Sequence, residues 1–180
     1  MQRKIVFFTA LCVLLVFVGL PLTLRQNWDR FSTGNKPCPV LNDTLSRHAT
    51  VFNEQGSLLL QELTADSARL MFRFPLHACS CLELDFANDV QRSVRDTGEN
   101  KVFVVVAATN NRDVLLFRQR TKITCPVYGT KDTLLAAFDN EQMPYACLVF
   151  PDMTAKHIIT IPTHPKNIDE LINYAKENIP

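Results

Sequence analysis

Two cysteines one residue apart, Cys79 and Cys81, sit where an apolar strand pattern passes through a short loop into a helical pattern. A thiol at a helix N-terminus meets unpaired backbone N–H donors and the positive end of the helix dipole, which stabilise thiolate over thiol. Cysteines at such a turn are therefore candidates for nucleophilic thiol-disulfide chemistry. A disulfide closed between them would form a very small ring, whereas relaxed disulfides want Cα atoms roughly 4.4–6.8 Å apart. Strain raises the reduction potential, so the pair suits a disulfide donor or isomerase better than a strong reductant. His77 lies two residues before Cys79, where it could tune the thiol pKa through an ion pair or stand as an exposed loop histidine. His77, Cys79 and Cys81 are also soft donors of the kind that hold Cu(I). The expectation is nevertheless no metal and no other cofactor.

The elements that would position this turn follow from periodicity. Ser67 to Phe74 alternates, with Leu70, Phe72 and Phe74 toward one face, and reads as a strand. Beyond Cys79, Leu82, Phe86, Val90 and Val94 recur at four-residue steps, the stripe of a helix that faces a core, and Gly98 is its natural stop. The wholly apolar run Val102 to Ala108 predicts a central strand covered on both faces. Asn110 opens a further helical stretch to about Arg120, and Ile123 to Gly129 leads into a short helix from Asp132 to Phe138. Tyr145 to Phe150 and His157 to Ile161 have hairpin spacing, and Asn167 to Asn178 closes the chain as a helix with Ile168, Leu171, Ile172 and Ala175 on one face. Ser57 to Leu63 is a candidate edge strand. Two parallel strands joined by a helix, followed by an antiparallel pair, predict an α/β fold with a mixed sheet and helices on both sides.

The N-terminus frames this domain. After Arg3 and Lys4 an uninterrupted apolar run extends from Ile5 to Leu24, enough to span a bilayer, with no small-residue cleavage signal at its exit. The expected organisation is a transmembrane signal anchor over 1–25, a polar tether over 26–50 and a domain over 51–180. The basic N-terminal flank keeps that end in the cytoplasm, which places the domain on the far side of the membrane. There Cys38, Cys79, Cys81, Cys125 and Cys147 would meet an oxidising compartment. Five is odd, so at least one thiol is free, redox active or paired with another chain. Cys125 reads as structural and Cys147 as a small apolar packing residue. Whether either pairs with Cys38, or with the other, is open from sequence. Asn42-Asp43-Thr44 has the form of a glycosylation acceptor, a pattern too short to carry weight. Across 180 residues the formal net charge is +1 with no dense basic cluster, which excludes the electrostatic footprint of nucleic-acid binding.

The order of elements, the cysteines between first strand and first helix, and Met143-Pro144-Tyr145 at the start of the hairpin resemble the thioredoxin superfamily. Over about residues 57–180 the chain is similar to envelope-anchored redoxin or TlpA-like thiol-disulfide oxidoreductases of Gram-negative bacteria. The resemblance implies a three-layer α/β/α sandwich, an inner-membrane protein with its catalytic domain in the periplasm, and envelope protein thiols and disulfides as partners. In that family a cis proline before the hairpin lies beside the cysteines and offers its backbone to an extended peptide, which makes Pro144 and Met143 the implied substrate-binding residues. The family's usual Cys-x-x-Cys is here Cys79-Ser80-Cys81. Because Leu82 heads the buried stripe, it falls on the second cysteine's place, with Cys79 as nucleophile and Cys81 as a displaced resolving residue. The rival alignment puts Cys81 in the buried place and Ala78 in the nucleophile's, leaving the site inactive. A peroxiredoxin would carry Thr or Ser where Leu76 stands, and copper-chaperone relatives space their cysteines more widely. Two functions stay open: a thiol-disulfide oxidoreductase using Cys79 and Cys81, and a catalytically degenerate thioredoxin-fold binding module of the envelope.

Overall fold

A computed structural model describes residues 43–75, 80–161 and 165–180, with Ser80 and Cys81 described as backbone only. The expected anchor, the tether up to residue 42, Cys38, His77 and Cys79 lie outside the described residues. Among the described residues no helix is long and apolar enough to cross a membrane.

Among the described residues eight strands form one mixed sheet: β1 (Asp43–Thr44), β2 (Thr50–Asn53), β3 (Gly56–Leu59), β4 (Arg69–Phe74), β5 (Val102–Ala107), β6 (Val127–Thr130), β7 (Tyr145–Val149) and β8 (Thr154–Thr160), in the order β1-β8-β7-β4-β5-β6-β2-β3. The helices are α1 (Leu60–Leu63), α2 (Ser80–Thr97), α3 (Asn111–Thr121), α4 (Ala136–Asp139) and α5 (Pro165–Asn178). β4, β5 and β6 run parallel and β7 and β8 antiparallel to their neighbours, the mixed sheet that the pattern predicts.

The two helical layers are unequal. Phe86 and Val90 of α2, Val114 and Phe117 of α3, and Ile168, Leu171 and Ile172 of α5 all pack on the face that carries Leu70, Phe72 and Phe74. The opposite face, with Met71, Phe103, Val105 and Tyr145, is covered by single-turn α1 and by Leu45, Ala49, Leu134 and Leu135. The cause is topological. β4, β5 and β6 succeed one another in the same lateral direction, and two right-handed crossovers in one direction must place α2 and α3 on the same side.

Residues 43–50, expected as the end of the tether, belong to the domain. β1 pairs with β8, Leu45 N–H donates to the Met153 carbonyl at 2.9 Å, and Leu45 and Ala49 are buried. The folded unit therefore begins before the expected boundary at residue 51. β2 reaches β6 through the pair Phe52↔Gly129, where a Cβ would lie 2.5 Å from the Phe52 ring and 2.7 Å from Val114, so any larger residue would have to displace both side chains. The expected strand over 57–63 resolves into edge strand β3 followed by the helical turn α1.

The α2 stripe seats as predicted. Phe86 is fully buried, meets Phe72, Phe74 and Phe117 at ring-centroid distances of 5.8, 4.8 and 6.1 Å, and holds two helices to the sheet. Gly98 ends the helix at φ 102°, a conformation that favours glycine. On the polar side Arg92 pairs with Asp169 of α5, and burial pushes the neighbouring Asp89 carboxyl up to about 6, with Asp85 adding to the rise and Arg92 opposing it.

Phe86→Ala should lower the unfolding free energy by about 3–5 kcal/mol in urea titration, whereas Leu84→Ala, on the exposed side of the same helix, should stay within about 0.5 kcal/mol. Because the folded pKa of Asp89 lies above its unfolded value of 3.8, its neutral form favours the fold at low pH, and that contribution is lost as pH rises toward about 6. Asp89→Asn should accordingly stabilise the protein at pH 7 and change little at pH 4 in paired denaturation curves.

Candidate functional site

The site is built at the C-terminal end of β4. This strand is paired on both edges, parallel to β5 and antiparallel to β7, with Arg73 opposite Val105 on one side and Tyr145 on the other. The register brings Pro144, the residue before β7, level with Phe74, the last residue of β4. From Phe74 the chain leaves through buried Pro75 and is next described at Ser80, where α2 opens. Cys81 therefore occupies the first turn of α2, one position before the half-buried Leu82 that packs on the core. Helix start, strand end and Pro144 converge on one rim of the sheet, although His77, Cys79 and the side chain of Cys81 are not among the described atoms.

Pro144 is buried and its carbonyl accepts from Ile161 N–H at 2.8 Å; Met143 is half-buried and its N–H donates to the Phe138 carbonyl at 3.1 Å. Both backbone groups are thus engaged from within the domain, and the peptide segment is fixed in place before β7 begins.

Behind this rim lies a feature that the sequence reading missed. Arg73, the one charged residue inside the β4 run Leu70–Phe74, is 4% exposed and donates from Nε to Asp139 Oδ1 at 3.0 Å, with a longer contact of 3.4 Å from Nη2 to the Asp132 carbonyl. Asp139 Oδ2 accepts from the Leu134 and Leu135 amides at 2.6 and 3.2 Å, so one carboxylate organises the turn that leads into α4. A buried pair of this kind adds little net stability over apolar residues of the same volume, but losing one partner strands the other charge at a cost of about 3–5 kcal/mol. Arg73 Nη1 and the Tyr145 hydroxyl, both buried, have no hydrogen-bond partner among the described residues. Burial drives the Tyr145 phenol far above its ordinary range, and nearby Asp139 and Cys147 add to the rise, so Tyr145 stays neutral. The available signal was a lone arginine in an apolar strand, which demands a buried acid from elsewhere in the chain.

Cys125 and Cys147 are both free, fully buried thiols, on opposite faces of the sheet, and do not pair with each other. Burial pushes the Cys125 thiol up to about 12 and the Cys147 thiol higher still, which leaves both protonated and unreactive at neutral pH. Their neutral forms favour the fold up to the ordinary thiol range near 9, and that contribution is lost as pH climbs toward about 12. Iodoacetamide at pH 8 should leave both unlabelled in the folded protein and alkylate both once denaturant unfolds it, as read by peptide mass mapping.

No known protein-family profile matches the sequence, and no curated protein is significantly similar to it. Solved structures do share its architecture. A secreted Mycobacterium tuberculosis disulfide oxidoreductase homologous to E. coli DsbE is 12% identical, with a TM-score of 0.51 over 72% of this chain and 96% of that one. A mutant of Xylella fastidiosa PrxQ is 11% identical, with a TM-score of 0.55 over 79% and 98%. The bacterioferritin comigratory protein of Xanthomonas campestris, studied for alkyl peroxide reduction, is 12% identical, with a TM-score of 0.53 over 75% and 98%. By sheet order, helix placement and these likenesses, the chain has the thioredoxin fold, in the form shared by disulfide oxidoreductases and peroxiredoxins.

Proposed function

We propose that this chain is a membrane-anchored, extracytoplasmic thiol-disulfide oxidoreductase that exchanges or isomerises disulfides of envelope proteins through Cys79 and Cys81. The observation that carries the reading is the convergence of the α2 opening, with Cys81 in its first turn, on the strand end that lies level with Pro144. Thiol chemistry at a helix start beside a fixed, extended peptide segment is what disulfide exchange on a protein substrate requires. The apolar run Ile5 to Leu24 would hold the domain at the membrane.

In the exchange, the Cys79 thiolate attacks one sulfur of a substrate disulfide, forming a mixed disulfide and releasing the other sulfur as a thiolate that takes a proton. Cys81 then attacks Cys79 Sγ, closing the Cys79–Cys81 disulfide and releasing the reduced substrate. Two electrons pass from the cysteine pair to the substrate. Run in reverse, the pair donates its disulfide, the direction that a strained three-residue ring favours. Electrons move between sulfurs only, and no cofactor takes part. His77 would tune the thiolate, while Met143 and Pro144 would hold the substrate strand.

Leu82 favours one competing reading. It packs on the core in the place of a usual resolving cysteine, as in a module that binds an envelope peptide without turnover. Thiolate titration separates the two. In the reduced full chain in detergent, followed by absorbance near 240 nm with Cys79→Ser and Cys81→Ser as controls, Cys79 should titrate well below about 8.5 and the pair should reoxidise in a glutathione buffer. Ordinary titration of both thiols with no disulfide formed would establish the binding module instead.

A further inference from the structure

We infer that the Arg73–Asp139 pair is a positioning device: it locks the segment 132–143 so that the Met143 carbonyl, the backbone group of Met143-Pro144 not taken by Phe138 or Ile161, is held toward an extended peptide, setting substrate affinity rather than thiol reactivity. This rests on the oxidoreductase reading above and adds to it the residues that govern how peptide is held.

Asp139 is the hub of the segment. Its carboxylate takes Arg73 from β4 and the Leu134 and Leu135 amides from the turn before α4. Its backbone carbonyl takes both the Gln142 N–H at 3.2 Å and the Gln142 side-chain amide at 3.0 Å. Gln142 is thereby held at φ 54°, a left-handed conformation that a residue with a side chain seldom adopts, and the next residue, Met143, donates to the Phe138 carbonyl. The Phe138 ring in turn lies 5.2 Å from Tyr145, which is opposite Arg73 in the register. A continuous set of contacts therefore runs from the end of β4 through Asp139 and Gln142 to Met143-Pro144 and back to β4.

The charge pairing itself adds little net stability over uncharged side chains of similar volume. What apolar side chains lack is direction: they cannot impose one conformation on a turn through aimed hydrogen bonds. Arg73 and Asp139 do not touch substrate in this scheme; they act through Met143 and Pro144.

The test uses the full chain in detergent and two disulfides that both release thionitrobenzoate. One is dithiobis(nitrobenzoate), which has no peptide to dock; the other is a short unstructured peptide with its single cysteine joined to thionitrobenzoate. Asp139→Asn alone strands a buried guanidinium and could fail to fold, so the decisive variant is the double replacement Arg73→Met with Asp139→Asn, which removes both charges, keeps the core filled and leaves an amide oxygen to accept from the Leu134 and Leu135 N–H groups. Its Tm should stay close to that of the parent, its KM for the peptide, read from single-turnover reaction of the reduced protein with excess disulfide, should rise about tenfold with the limiting rate within about twofold, and its rate with the small disulfide should be unchanged. Arg73→Lys should recover part of the peptide affinity. An unchanged KM, or a parallel fall for both disulfides, overturns the positioning role while leaving the oxidoreductase reading intact. If the parent protein reacts with neither disulfide faster than free cysteine, the oxidoreductase reading falls, and the positioning role falls with it.

Discussion

β4 is held from four directions, and the candidate rim depends on that confinement. Its side chains are buried on both faces, and its edges are closed by β5 and β7. A strand in this position cannot slip. A shift of one residue would turn Arg73 into the aromatic cluster of Phe72, Phe74, Phe86 and Phe117 and drive phenylalanines against Asp139. Parallel pairing with β5 forces the connection to cross the sheet as a helix, so α2 must begin near where β4 ends. Antiparallel pairing with β7 forces the residue before β7 to the same end. The meeting of helix opening, strand end and Pro144 is thus a consequence of two hydrogen-bonding registers.

Parts of this arrangement were legible in the residues and parts were not, for physical reasons. The α2 stripe, the stop at Gly98, the central strand at 102–107 and the buried face of α5 carry strong local periodicity and appear where the pattern puts them, and the β7–β8 hairpin is there with a tighter turn, β8 beginning at Thr154 rather than His157. β1, β2 and β6 did not announce themselves. They span two, four and four residues, too few for a period to register; β1 and β6 are held by the longer β8 and β5, and β2 by pairing on both sides with strands of its own length. The placement of α2 and α3 on one face was likewise hidden, since it depends on lateral strand order, which no single segment encodes. At the rim, Met143-Pro144 could be located from its place before the hairpin. Arg73 and Asp139 could not, because their partnership spans 66 residues and only the folded register brings them together.

The thiols divide by environment rather than by number. Cys125 and Cys147 have the same side chain as Cys81, but desolvation dominates at both, at Cys125 even against the opposing charge of Arg118, and a sulfur held neutral in this way packs as a small apolar group. Their burial on opposite faces simplifies the cysteine inventory, because the odd count no longer has to be reconciled with a bond between them. Fold alone assigns no chemistry to this chain, as disulfide oxidoreductases and peroxide-reducing proteins share the architecture. The assignment has to come from which cysteines stand at the helix opening and what lies beside them.

The seating of β1 against β8 bears on the order in which the domain can be completed. Asp43 and Thr44, at the beginning of the described chain, pair with Ala155 and Thr154, while the β2–β3 hairpin a few residues later closes the far edge of the same sheet against β6. The stretch 43–59 therefore laces both margins of a sheet whose central strands are made afterwards. During synthesis from the N-terminus β2 and β3 can pair with each other at once, whereas β1 precedes every other strand of the sheet and finds its partner last. The β1–β8 and β2–β6 contacts span long stretches of sequence, and loop closure over such spans makes them late and slow events in folding. An early-made segment that docks only when the hairpin near the C-terminus is present acts as a completion signal: until then β8 keeps an open edge, and once it docks that edge is capped at its first two residues.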